Sequence, residues 1–172
     1  MEGNYVCKIA SLDEVIAKWD KLIAQNPGEP NWVSWKAETI ENVRTGRKIP
    51  YYGVMDGEII CEAYAEPGYD PAAEGGVSSE PGTVYLSAFR TDEEYRGKGF
   101  FSKLMSFMME DLKQKDFIRA IVGVEPWDTV NKELYRHWGF TELVHSGTCT
   151  YPDGEVIEVE YYANQSEGRF FD

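Results

Sequence analysis

The stretch EYRGKGFFSKL, Glu94 to Leu104, sets two glycines around one lysine and then runs directly into an apolar helical pattern. Glycine loses more backbone freedom on folding than any other residue, so Gly97 and Gly99 at a helix start answer to turn geometry or to the close approach of a ligand. The run before them, TVYLSAFRT, has the β-branched and aromatic content of a strand. A strand, a glycine loop and a helix thus follow in order, and the amides and dipole at such a helix start attract anions. The loop lacks the G-x-x-x-x-G-K-[ST] of a Walker sequence, and Ser102 stands where a dinucleotide fingerprint needs its last glycine. Spacing alone leaves two readings open, a phosphate cradle and a plain strand-to-helix turn.

The flanking sequence supplies the rest of the fold. YVCKIA reads as a strand, and Ser11 opens a helix in which Glu14 completes an S-x-x-E capping box. Leu12, Val15, Ile16, Trp19, Leu22 and Ile23 repeat with helical period until Asn26-Pro27-Gly28 stops them. A second helix is predicted over Trp32 to Arg44, ending near Gly46. PYYGVMDGEIICEAYAE has the form of a hairpin turned at Asp56-Gly57. Residues 66–82, rich in Pro, Gly, Ser and acidic side chains, read as a long loop inside the sheet, of the kind that is often functional or mobile. Beyond the glycine loop come a helix from about Phe100 to Lys115, a strand FIRAIVGVE, a helix at about 128–138, a hairpin turned at Pro152-Asp153-Gly154, and a tail over 164–172. The order βααββ, βαβα, ββ predicts one α/β domain over residues 1–172, with a mixed central sheet of about seven strands flanked by about four helices.

Charge narrows the partners. Of the net charge of −13, residues 83–140 contribute nothing, with nine basic and nine acidic side chains, and both flanks are acidic. That balance disfavours nucleic acid, which requires basic surface. It leaves room for a small anion at the neutral segment and a cationic partner near the flanks. Cys7, Cys61 and Cys149 lack C-x-x-C spacing, which fits free thiols in a reducing compartment. No apolar run approaches a membrane span and no secretory h-region opens the chain, so the expected location is cytoplasmic, with no membrane partner.

At the loop the chain resembles the GCN5-related N-acetyltransferase (GNAT) superfamily. TDEEYRGKGFFSKL is similar to the family's pyrophosphate loop, R/Q-x-x-G-x-G/A, with Arg96 and Gly99 at its first two fixed positions. About 30 residues on, NKELYRHWGF resembles the later helix signature L-Y-x-x-x-G-F through Leu134, Tyr135, Gly139 and Phe140. The resemblance implies an acetyl-CoA-dependent acyltransferase that acetylates a primary amine. It also implies that backbone groups of Phe89 and Thr91 pair with the pantetheine arm, and that Arg96, Gly97, Lys98, Gly99, Phe100, Phe101 and Ser102 surround the pyrophosphate. Two positions depart from the pattern. Phe101 replaces a small residue, so its ring must turn into the core or crowd the phosphates. Asp128 stands where the family often has Asn, which suits a helix cap and leaves Asn131 as the substitute contact.

The same resemblance gives Tyr135 the role of general acid for the departing thiolate and gives carbonyl polarisation to a fourth-strand amide. Without the motif, Tyr135 reads as an ordinary packed aromatic. The base is open between Glu62, which strand alternation puts on one face with Tyr64, and Glu125 beside Pro126; either is equally readable as an exposed side chain. His137 and His145 read as structural, and no metal site is expected, since Cys149 and His145 lack further ligands. Aromatic pairs such as Trp32 with Trp35 and Tyr51 with Tyr52 are candidates for an acceptor pocket, although most aromatics will be core. The expected acceptor is a small-molecule or protein amine, cationic by the acidity of the early helices. The alternative is a catalytically silent acyl-CoA-binding sensor. The expected assembly is a monomer or a homodimer, the terminal hairpin being a route to the latter.

Overall fold

The computed structural model describes residues 3–71, 73–78 and 80–164. Helix α1 (Leu12–Gln25) starts at Ser11 with both capping-box bonds present: Glu14 N–H donates to Ser11 Oγ at 3.2 Å, and Ser11 N–H to Glu14 Oε1 at 3.0 Å. Its end is held by the Asn26 side-chain amide, which donates to the Leu22 carbonyl at 2.8 Å. Helix α2 (Trp32–Arg44) stops at Thr45, after which Gly46 turns the chain with φ of 77°. Strands β1 (Tyr5–Ile9), β2 (Ile49–Met55) and β3 (Glu58–Pro67) pair antiparallel. The β2–β3 turn takes positive φ at both central residues, 49° at Asp56 and 86° at Gly57, which is what an Asp-Gly hairpin requires.

Then follow β4 (Thr83–Thr91), α3 (Phe100–Gln114), β5 (Arg119–Val124), α4 (Thr129–His137), β6 (Phe140–Thr150) and β7 (Val156–Asn164). The seven strands form one mixed sheet in the order β1-β2-β3-β4-β5-β7-β6, in which β4 and β5 pair parallel. This is the expected α/β architecture, element for element.

The differences are local. Residues 66–82 carry structure of their own: β3 runs on through Pro67, Tyr69 bridges to Val77, and Glu74–Gly76 make a short 3-10 turn. Positive φ at Gly68, Gly75 and Gly76 permits these turns, a backbone pattern that apolar periodicity does not register. Strand β5 starts two residues later than predicted, because the Phe117 N–H closes α3 on the Leu112 carbonyl at 3.1 Å. Asn164 ends β7 and accepts from Ala120 N–H at 2.7 Å, so it belongs to the sheet; the remainder of the expected tail lies outside the described residues.

Two compact units emerge, one made of the chain up to Ala65 with Ala88–Met108, the other of Glu66–Ser87 with the chain from Met109 onward. In the first, Ala10, Val15, Trp19, Tyr52 and Tyr64 form a buried cluster against which Trp32 and Trp35 pack. In the second, Ile121, Val159, Tyr161 and Ala163 do the same with Tyr85 and Cys149. Each fully buried large apolar side chain contributes about 1.5–3 kcal/mol. No helix among the described residues is long and apolar enough to cross a membrane.

Candidate active site

The glycine loop belongs to the first unit. After β4 a single 3-10 turn, Glu93–Tyr95, leads to Arg96, and α3 begins at Phe100. Gly97 and Gly99 have φ of 72° and 83°, and nothing lies within 4 Å of where a Cβ on either would be. The glycines therefore serve the backbone turn, and the space beside them is open. The first helical bond runs from Lys103 N–H to the Gly99 carbonyl at 3.2 Å, so the amide end of α3 faces this loop. Arg96 folds back, its Nε donating to the Thr91 carbonyl at 2.9 Å, while Lys98 lies 5.9 Å from the Tyr95 ring centre. Ser102 is exposed in the first turn of the helix.

Phe101, the departure from the family pattern, has its ring turned onto Phe89, with centroids 5.2 Å apart. The neighbouring Phe100 is held differently. The Tyr5 ring packs against it at a tilt of 47°, with centroids 4.8 Å apart, and its hydroxyl donates to the Phe100 carbonyl at 2.8 Å, across 95 positions of sequence. Gly53 makes this possible, because a side chain there would collide with the Tyr5 hydroxyl.

Strand β4 pairs with β5 only from Thr83 to Leu86. Two residues on, Ala88 takes φ of 55°, a left-handed conformation costly for a residue with a Cβ. The irregularity turns β4 just before Phe89 and Thr91, the two positions expected to meet pantetheine.

Glu62 is 1% exposed and its Oε1 accepts from Arg90 at 3.0 Å. Burial pushes its carboxyl above the ordinary carboxylate range, and the positive charges of Arg90 and Lys18 pull the other way. Alternation does bring Tyr64 to the same buried face, where its hydroxyl is 2.7 Å from that of Tyr52. Trp19 and Trp32 meet edge to face beside Arg90.

The second unit holds the other expected residues. Glu125, Asp128, Asn131 and Tyr135 line an open cavity of about 300 Å³ together with Tyr85 and Cys149. Asp128 caps α4: its carboxylate accepts from Asn131 N–H at 3.1 Å and from the Asn131 side chain at 2.7 Å. Asn131 is thus tied to the cap. Burial, with a smaller contribution from Asp128, pushes the Tyr135 phenol up to about 12, which keeps it protonated at neutral pH. His145 stacks on Tyr161 and His137 lies exposed at the end of α4. Among the described residues no cluster of His, Cys, Asp and Glu could hold a metal.

The sequence profile of the Acetyltransferase (GNAT) family matches residues 17–140, well over half of the chain. The chain belongs to the GNAT family. This acetyltransferase matches no curated protein by sequence. Its fold is similar to an N-acetyltransferase from Staphylococcus aureus Mu50, with 15% identity, TM-score 0.66, and coverage of 95% of this chain and 99% of the other. It is also similar to the ribosomal-protein-alanine N-acetyltransferase of Brucella melitensis, with 16% identity, TM-score 0.65, and coverage of 92% and 98%. A third is yncA of Salmonella typhimurium, solved with its cofactor acetyl-CoA, with 14% identity, TM-score 0.66, and 95% of each chain covered. Acetyl-CoA is the cosubstrate of this GNAT chain, and the open glycine loop at the start of α3 suits an anionic ligand. Two residues of interest, Tyr5 and Arg90, escaped the motifs. Each acts through partners far away in sequence, which no local pattern signals.

Proposed function

We propose that this GNAT acetyltransferase transfers acetyl directly to the primary amine of a small acceptor, an amine that carries a positive charge in solution at neutral pH, with Tyr135 as the acid for the departing sulfur. The observation that carries the reading is a protonated, half-buried phenol lining the same cavity as a carboxyl side chain, Glu125. Acetyl-CoA supplies the acetyl group as an activated thioester. Amides of the Gly97–Gly99 loop and of Phe100, Phe101 and Ser102 hold its pyrophosphate, with Arg96 and Lys98 adding charge, and main-chain groups of Phe89 and Thr91 hold its arm. A β4 amide polarises the acetyl carbonyl. Glu62 or Glu125 removes a proton from the amine, directly or through water. Asn131 contributes a polar contact at the start of α4.

Proton balance fits this division of labour. A phenol at about 12 is a weaker acid than an ordinary thiol near 8.5, so transfer to sulfur alone would run uphill by about 5 kcal/mol. The proton shed by the attacking amine, which becomes strongly acidic on acylation, offsets that cost and regenerates the phenol. Calorimetry with acetyl-CoA and steady-state kinetics of Tyr135→Phe test the proposal. Retained binding with lost turnover supports it; an unchanged kcat removes Tyr135 from the chemistry. A wild type that binds acetyl-CoA and turns over no amine would instead be a binding module.

A further inference from the structure

The mechanism leaves the Arg90 guanidinium unused. Of its five N–H groups, one is engaged, by Glu62 at 3.0 Å, and Arg90 makes no other hydrogen bond among the described residues. The group nevertheless has three neighbours: Glu62, the Trp19 ring of α1, whose centre is 5.3 Å from the guanidinium carbon, and the Trp32 ring at the start of α2, at 5.4 Å. Two of these neighbours are buried, Glu62 to 1% and Trp19 to 3% exposure, and Trp32 is partly buried, while the Arg90 side chain keeps 33%. Neutralising Glu62 needs only a point charge. A rigid, partly exposed fork with spare donors is more than that, and its geometry suits the two oxygens of a carboxylate. Because the side chain is already immobilised, little further entropy is lost when it binds.

We infer that Arg90 recognises a carboxylate on the acceptor, so that the substrate is a small amine carrying its own carboxylate, an α- or ω-amino acid. This rests on the acetyltransferase reading above. A monoanion suits the site better than a phosphate dianion, because Glu62 already places one negative charge against the same guanidinium. A zwitterion also approaches an acidic protein without a net charge to repel, its ammonium being the group that is acetylated.

The test measures acetyl transfer by the full chain to α- and ω-amino acids, each beside its carboxamide and its decarboxylated amine. The best acid should exceed its amide in kcat/KM by about thirtyfold or more, the penalty for leaving a charged donor unpaired. Arg90→Lys keeps a charge beside Glu62 but removes the fork, so KM for the acid should rise about tenfold, with kcat and acetyl-CoA affinity little changed. Arg90→Gln should bring the acid-to-amide ratio toward one. Equal use of amides or amines by the wild type overturns the inference, as does an unaltered KM in Arg90→Lys. Turnover of no acid by a protein that binds acetyl-CoA overturns it as well. Absence of acetyl-CoA binding would be a different failure, since it removes the acetyltransferase reading itself.

Discussion

Replacing Gly99 by alanine separates what the loop costs in folding from what it does for a ligand. At φ of 83° a side chain adopts the left-handed region, which costs about 1–2 kcal/mol. Alanine also restricts the unfolded chain, which returns about 0.4–1 kcal/mol. Apart from its chain neighbours, no described residue comes within 4 Å of the new methyl, so tertiary packing adds no term. The net loss is about 1 kcal/mol, or about 2–4 °C in Tm for a chain of this size. Gly46 is the matching control, with φ of 77° and equally open surroundings, but at the end of α2 and outside the candidate site. Gly46→Ala, Gly97→Ala and Gly99→Ala should therefore lose similar stability by urea denaturation. Acetyl-CoA affinity measured by calorimetry should fall about tenfold or more in the two loop variants and hold in the control, because the proposed function puts the pyrophosphate in the open space beside the loop. Equal affinities in all three would refute the assignment of the loop.

Tyr135→Phe should lower kcat about a hundredfold with acetyl-CoA affinity intact. With the phenol at about 12, the wild type should show no alkaline limb from Tyr135 in kcat/KM across the usual assay range; a limb near pH 9 that vanishes in the variant would contradict that assignment. Tyr5→Phe removes one hydrogen bond, about 1 kcal/mol by urea denaturation, and should weaken acetyl-CoA binding while Phe100 remains packed. Asp128→Ala removes the cap of α4 and should cost about 1 kcal/mol. Glu62 titrates above its unfolded value, so the folded state holds the proton more tightly. Stability relative to Glu62→Gln should then be greatest below about pH 4.3 and decline as pH rises through the folded value. A change in the opposite direction would mean that Arg90 outweighs burial.

Features set by neighbouring residues were legible in the sequence. The Ser11 box, the Asp56-Gly57 turn and the Asp128 cap each depend on side chains within three positions of one another, so spacing suffices. The element order followed from period and punctuation for the same reason. The candidate site divides along that line. Gly97, Gly99 and Tyr135 belong to short motifs and could be named at once. The direction in which Phe101 turns depends on Phe89 twelve residues earlier, and the setting of Arg90 depends on two indoles from two different helices. Glu62 could be placed on a face by alternation, but its pairing with Arg90 needed the fold. Residues 66–82 concealed their turns because positive φ at glycine leaves no apolar period.

The hydroxyl of Tyr5 reaching the first residue of α3 has a consequence in time. The two groups lie 95 positions apart, so about half the chain must be made and collapsed before that bond can form. The α3 helix and the hairpin of β2 and β3 can assemble earlier from nearby residues, but the loop entrance gains its last brace only when β1 docks beside Gly53. Hydrogen exchange during refolding would then find the Lys103 amide, which opens the α3 ladder on the Gly99 carbonyl, among the last of that helix to gain protection, and ligand competence would lag behind the rise of helix signal.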